Sequence, residues 1–326
     1  MSELLVEQIE DYGLSQKDRP KNQFSKIGII GCGMVGREIS LAVSQSGMEV
    51  VFVELSEDRI RHSFRELEKN LDKQIDHWGM TSGEKKLVLS RIKGTTNFID
   101  LKGCELVIEC IKSKSNELLF ETRKSIFIKI EENVCDKCII ATNTTAAIIT
   151  ELSSFLQHRD RSIGIHFLTT NPNARVVEVV RGLHTTSDNY DNAVKFVKLI
   201  NKTPILVEES PGLISVRVVS AMINEACDVL MEGVGSRESI DLTMKNYFGL
   251  ILGPFELADK IGLDKIQSWM DNLYDEFGFM KYKTSPLIKR LVRANHLGRK
   301  TLQGFYSYDK NGQRSTKQAE LHIIDL

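Results

Sequence analysis

Lys26-Ile27-Gly28-Ile29-Ile30-Gly31-Cys32-Gly33-Met34-Val35-Gly36 is the stretch whose reading decides the fold: a short apolar run passes without a break into a loop with three spaced glycines. A helical pattern follows, with Ile39, Ala42 and Val43 on one face, and Gly47 stops it. Glu49-Val50-Val51-Phe52-Val53-Glu54 then reads as a buried strand ending in an acid. A lone G-x-G-x-x-G is weak evidence. Leaving a strand, opening a helix and followed about 20 residues on by an acid, it has the full context of a dinucleotide site. Gly31 permits the tight turn, Gly33 lets the backbone approach a pyrophosphate at the helix N-terminus, and Gly36 allows the helix to pack closely on the strand. Met34 and Val35 complete the cofactor-binding loop. Glu54 is expected to accept hydrogen bonds from the ribose hydroxyls and to repel a 2′-phosphate, which favours NAD over NADP. The plainer alternative is a structural glycine turn with Glu54 as a solvated strand end.

Outward from this loop, strands and helices alternate. Residues 58–93 read as two helices broken at Gly79–Gly83, longer than a simple crossover needs. They carry Arg59, Arg61, Arg65, Lys69, Lys73, Lys85, Lys86 and Arg91, with Glu66, Glu68 and Asp72 interleaved. This is either a solvated helix face, which the interleaving favours, or a patch for substrate phosphates with Ser63 and Lys69 as its substrate-binding candidates. Glu105–Cys110 is the next strand, a helix is centred on 125–132, and Cys138–Ala141 is a further strand. The alternation predicts an α/β fold, a Rossmann-type doubly wound parallel sheet. At the carboxyl end of the last strand lies Thr142-Asn143-Thr144-Thr145-Ala146, where ligands sit in such sheets; Thr144 or Thr145 as a helix cap is the competing role. Beyond Ser210-Pro211-Gly212 the pattern is helical. Val216, Val219, Ile223, Ala226 and Leu230 form a broad stripe from 213 to 231, and a stripe this wide often serves a homodimer interface as well. The organisation expected is an N-terminal extension (1–25), a Rossmann domain (26–210) with an inserted helical pair (58–93), and an all-α C-terminal domain for substrate and dimerisation (211–326).

Composition narrows the function classes. Forty-three basic against 44 acidic residues, with a net charge of −1 and no single-sign block, do not suggest a nucleic-acid partner. No apolar run is long enough to span a membrane. The six cysteines are scattered, and Cys135-Asp136-Lys137-Cys138 lacks a second ligand pair, so free thiols in a reducing cytoplasm are expected rather than a metal site, with a redox pair as a third reading. Glu3, Glu7, Glu10 and Asp11 leave the first 25 residues without the apolar core of a secretory signal. Leu4, Leu5 and Ile9 suit either one turn of docked amphipathic helix or a mobile tail.

Ser162 to Gly182 holds two short apolar runs around Asn171-Pro172-Asn173. So short a connection allows an antiparallel hairpin, and a turn centred on Pro172 sets His166 opposite Glu178. A carboxylate on one ring nitrogen fixes the tautomer and raises the basicity of the other, as a general base working near neutral pH requires. The alternative is an edge strand with Glu178 in solvent and His166 capping the turn.

From Lys26 to about Asp309 these residues resemble the short-chain L-3-hydroxyacyl-CoA dehydrogenases. The most specific parts are the Gly31–Gly36 loop, Ala141–Thr145, Gly164–Phe167 with Val176–Val179, Gly253–Asp264 and Leu297–Tyr306. The resemblance implies that His166 is the catalytic base, that Glu178 orients it, that Thr145 stands for a substrate-binding serine and that Asn143 helps hold the cofactor. It implies NAD as cofactor, an acyl-CoA partner and a homodimer. Several positions depart from the family. The asparagine that usually contacts substrate near the start of the long helix is Val216, before Arg217. Thr169-Thr170 replaces an Asn-Pro, the loop after Glu109 is about five residues longer, and an acidic residue near the nicotinamide falls on Ser113. These departures keep open a dehydrogenase of a non-CoA hydroxy acid or alcohol, and a dinucleotide-binding protein that has lost catalysis.

Overall fold

The computed structural model describes residues 24–76, 79–111, 116–145, 148–167 and 174–315. The apolar turn at Leu4–Ile9, Ser113, Ala146, Thr169-Thr170 and the turn residues Asn171-Pro172-Asn173 lie outside the described residues. Among the described residues, no helix is long and apolar enough to cross a membrane.

Strand β1 (Lys26–Ile30) lies between β2 (Glu49–Val53) and β4 (Leu106–Glu109), parallel to both, with Ile29 opposite Phe52 and Ile108. The sheet extends through β3 (Ile92–Thr95), β5 (Ile139–Thr142), β6 (Ser162–His166), β7 (Val176–Arg181) and β8 (Thr203–Glu208) in the order β3-β2-β1-β4-β5-β6-β7-β8. Every pairing is parallel except β6 with β7. The period-two alternation of strand side chains feeds two layers. Ile29, Ile108, Ala141 and Ile163 face α1 (Met34–Gln45), α2 (Glu57–Asp76), α3 (Ser82–Ser90) and α6 (Ser187–Leu199), while Ile30, Val107 and Ile140 face α4 (Asn116–Asn133) and α5 (Ile149–Ser153). A sheet covered on both faces explains why its strands are nearly continuous apolar runs.

After β8 come α7 (Ser215–Met231), α8 (Arg237–Phe248), α9 (Pro254–Ile261), α10 (Leu263–Phe277) and α11 (Pro286–Arg293). They enclose a second core of Ile223, Cys227, Phe255, Ile266, Met270 and Ile288, closed by Phe305. The buried carboxylate of Asp259 accepts the backbone N–H groups of Phe305 and Tyr306 at 2.9 Å each, tying the tail to α9.

Several expectations need correcting. The helix pair expected over 58–93 ends at Ser90, because Ile92 and Lys93 belong to edge strand β3. Residues 57–90 are therefore the crossover from β2 to β3. The strand escaped notice because its Gly94, against which a side chain would strike Ile60 and Phe52, interrupts the apolar pattern. The C-terminal region is helical as expected, and only its last described residues carry isolated bridges, Gly298 to Gln303, Gln303 to Ser307 and Tyr308 to Arg314. Neither Thr144 nor Thr145 caps α5, which starts after Ile148 without a side-chain cap. The α7 stripe is consumed within the chain: Ile223, Ala226 and Leu230 are buried in the helical core and cannot meet a second copy. All six cysteines are free thiols.

Candidate active site

The glycine loop forms one wall of a cleft of about 690 Å³. Gly31 has φ +87°, a left-handed conformation that L side chains rarely adopt. A Cβ on Gly36 would fall 2.1 Å from the Gly31 carbonyl oxygen, so the turn and the helix can approach only with glycine there. At Gly33 the same construction meets nothing within 4 Å, which leaves the backbone open to a ligand. Gly33 is the N-cap of α1 and no side chain caps that first turn, so its N–H groups and dipole are offered to an anion. Met34 is half exposed at the cleft and Val35 is buried beneath it. Glu54 directly follows β2 in the same cleft, its Oε1 accepting the Cys32 N–H at 2.8 Å and its Oε2 the Leu55 N–H at 3.1 Å. These features fit a dinucleotide: open amides for the pyrophosphate, an acid for the ribose, and Leu55, Phe98 and Ile126 as an apolar slot.

Farther along the same carboxyl edge, β6 and β7 place His166 opposite Glu178, the register expected from the hairpin turn. The imidazole Nδ1 lies 2.6 Å from Glu178 Oε2, and both side chains are buried. Glu178 is held from a third direction. Its Oε1 accepts the backbone N–H groups of Ile214 and Ser215 at 3.2 and 3.0 Å, and its Oε2 accepts the Ser215 hydroxyl at 2.9 Å. The N-terminus of α7 thus clamps the carboxylate that orients the histidine. Burial alone pushes the Glu178 carboxyl up; the hydrogen bond and charge of His166, with the Ser215 bonds, outweigh it and the net shift is downward. A carboxylate on Nδ1 leaves Nε2 as the nitrogen free to accept a proton. Ser215 escaped the sequence reading; its only signal is a hydroxyl at the start of a helix that follows Pro211-Gly212.

Asn143 lies between the two regions, its Oδ1 accepting the Phe167 N–H at 2.7 Å and so fixing the β5 loop against the residue after His166. The Thr145 carbonyl accepts the Gly212 N–H at 3.1 Å, and Thr145 shares a small pocket with Val216. Val216 is buried against Leu273 and Tyr282 and presents only methyl groups. Glu109 organises the neighbouring strand ends. It accepts bonds from Arg123 Nε at 3.1 Å, Thr142 Oγ1 at 2.6 Å and the Ile111 N–H at 2.7 Å. Ser63 does not stand where a substrate would meet it: it is 2% exposed and donates to the Cys32 carbonyl at 3.1 Å, supporting the glycine loop from α2. Lys69 is exposed on α2, on the helix face whose Arg61 pairs with Asp58, while Lys85 of α3 pairs with Asp72 of α2.

The chain matches the model of the 3-hydroxyacyl-CoA dehydrogenase NAD-binding domain over residues 26–210 and that of the 3-hydroxyacyl-CoA dehydrogenase C-terminal domain over 212–308. It is 38% identical over 285 residues to 3-hydroxybutyryl-CoA dehydrogenase of Clostridioides difficile, covering 87% of this chain and 100% of that one. To the enzyme of the same name from Bradyrhizobium diazoefficiens it is 36% identical, over 87% and 95% of the two chains. The crystal structure of (S)-3-hydroxybutyryl-CoA dehydrogenase from Ralstonia eutropha superposes with a TM-score of 0.81 at 37% identity, covering 88% of this chain and 100% of that one. With its glycine-loop cleft, its clamped histidine and both domain models matched, the chain belongs to the NAD-dependent 3-hydroxyacyl-CoA dehydrogenase family.

Proposed function

We propose that this dehydrogenase interconverts a short-chain L-3-hydroxyacyl-CoA and the corresponding 3-oxoacyl-CoA. The observation that carries the reading is His166 held by Glu178 and the α7 N-terminus at the sheet's carboxyl edge, with the Thr145 carbonyl tied to Gly212 just ahead of that helix. NAD, held by the Gly31–Gly36 loop and Glu54, supplies the acceptor for the hydrogen and electron pair that leave C3. His166 Nε2 takes the 3-hydroxyl proton, and Glu178 stabilises the imidazolium that results. Thr145 holds the acyl group, Asn143 fixes the loop on which Thr145 stands, and Lys69 on α2 is available to substrate phosphates. In the reverse direction the imidazolium returns its proton to the forming alkoxide.

Methyl groups in place of an amide at 216 motivate a second reading, a free hydroxy acid or alcohol as substrate. A panel of 3-oxoacyl-CoA thioesters of increasing chain length, with free 3-oxo acids alongside and NADH consumption as readout, separates the two. Turnover confined to short thioesters supports the first; turnover confined to free acids overturns it. We further propose a homodimer formed through the C-terminal helices, where Val218, Leu242, Tyr247, Phe248 and Ile251 are more than half exposed. A monomer mass in sedimentation equilibrium overturns that assembly.

A further inference from the structure

One oxygen of Glu178 is shared between two side chains. His166 Nδ1 lies 2.6 Å from Oε2, and the Ser215 hydroxyl donates to the same oxygen at 2.9 Å. The other oxygen, Oε1, takes the Ile214 and Ser215 N–H groups at 3.2 and 3.0 Å. The two amide bonds belong to the backbone, and any residues except proline at 214 and 215 would bring them. The hydroxyl is different: it is what the side chain of Ser215, the first residue of α7, adds to the clamp. Burial pushes the Glu178 carboxyl up, and both Ser215 bonds act against it.

A carboxylate stabilises an imidazolium through the negative charge on the oxygen that faces it. A second donor on that oxygen draws charge away from Nδ1, and its hydrogen adds a positive partial charge beside the ring. Both effects disfavour the protonated imidazole. Among the described residues, the other charged side chains on the surrounding elements are engaged elsewhere or exposed. Arg181 of β7 donates to Thr185 and Ser187, Lys202 ahead of β8 to the Ala174 carbonyl, and Arg217 of α7 to Tyr282 and Ser210. Glu209 accepts the Thr150 N–H, Glu109 beside β5 pairs with Arg123, and Arg175 and Glu208 are exposed. His166 is thus the charge that Glu178 answers to. We propose that the Ser215 hydroxyl is a positioning group for the base: by sharing Glu178 Oε2 with His166 it weakens the hold of Glu178 on the imidazolium, so that His166 gives up its proton more readily to the forming alkoxide. This inference rests on the acyl-CoA reading proposed above, with His166 as base, and deepens it.

The test follows two pH limbs in the parent, Ser215→Ala and Ser215→Thr. One is the rise of kcat/KM with pH for L-3-hydroxybutyryl-CoA and NAD, which needs the neutral imidazole; the other is its fall with pH for acetoacetyl-CoA and NADH, which needs the imidazolium. Expected for Ser215→Ala is an upward move of both limbs by about 0.5 pH unit, the scale of one hydrogen bond to a charged group. The His166 ring titration, read by NMR in the cofactor-free protein and assigned with His166→Gln, should move the same way. Ser215→Thr keeps the hydroxyl and should hold the parental limbs. Ser215→Gly also removes it and carries the test if Ser215→Ala folds poorly. A merely structural serine lowers the plateaus and leaves the limbs in place. Unmoved limbs, limbs moved downward, or Ser215→Thr behaving as Ser215→Ala overturns the inference while leaving the acyl-CoA reading intact. A parent without turnover of any thioester defeats that reading itself, and this inference with it.

Discussion

The cofactor cleft and the His166 site sit on the same sheet edge but are built by opposite means. The cleft's defining parts come from 24 consecutive residues, Gly31 to Glu54, joined by one strand–helix–strand unit. The histidine site gathers His166 on β6, Glu178 on β7 and Ser215 on α7, while Thr145 after β5 lines a small pocket with Val216 of α7. A contiguous site is specified by local backbone needs: a left-handed glycine, a Cβ-free contact, an uncapped helix end. A dispersed site is specified by packing. Substitutions in the two regions should therefore fail differently.

The largest effect is expected at the base. His166→Gln should lower kcat by about 10²–10⁴-fold with NADH affinity unchanged in a fluorescence titration. Parental turnover would break the division between the regions, and a parallel loss of NADH affinity would show that they are coupled.

Glu178→Gln should cost about 100-fold in kcat, since the imidazolium loses its counter-charge. It should also destabilise the fold by about 1–3 kcal/mol in denaturant unfolding, because the same carboxylate caps α7. The sign of the pH dependence follows from the lowered Glu178 pKa. Its contribution is fully present above the ordinary glutamate value of 4.5 and is lost as pH falls through the lower folded value. The stability gap between parent and Glu178→Gln should hold from neutral pH down to about 4.5 and close below it. A gap that grows on acidification would contradict the clamp.

The smallest effect belongs to the contiguous site. Gly36→Ala forces a methyl against the Gly31 carbonyl and should weaken NADH binding by at least about tenfold, or 1.4 kcal/mol. The acid-side stability profile that reports on Glu178 should be untouched. Unchanged NADH affinity would mean that the loop tolerates displacement and is less contiguous in its demands than described.

Legibility followed the same division. The glycine loop, the strand ending at Glu54 and the parallel core could be read directly, because glycine placement and apolar periodicity are local properties of the chain. Even the His166–Glu178 pairing was readable, since a short hairpin links register to residue number. Strand β3 was not: Ile92-Lys93-Gly94-Thr95 has one large apolar residue and takes its strand conformation from pairing with β2. Ser63 was misplaced because only packing turns it under the loop, toward the Cys32 carbonyl. The exhaustion of the α7 stripe inside its own core, the Ser215 clamp on Glu178 and the packing of Leu273 on Val216 depend on how helices dock. The sequence by itself determined where the glycine turn and the His166–Glu178 pair lie along the chain, because those rest on contacts within one or two elements. Tertiary structure alone decided what clamps Glu178 and what packs around Val216, because Ser215 reaches the carboxylate and Leu273 reaches Val216 only after α7 and α10 close on the sheet edge.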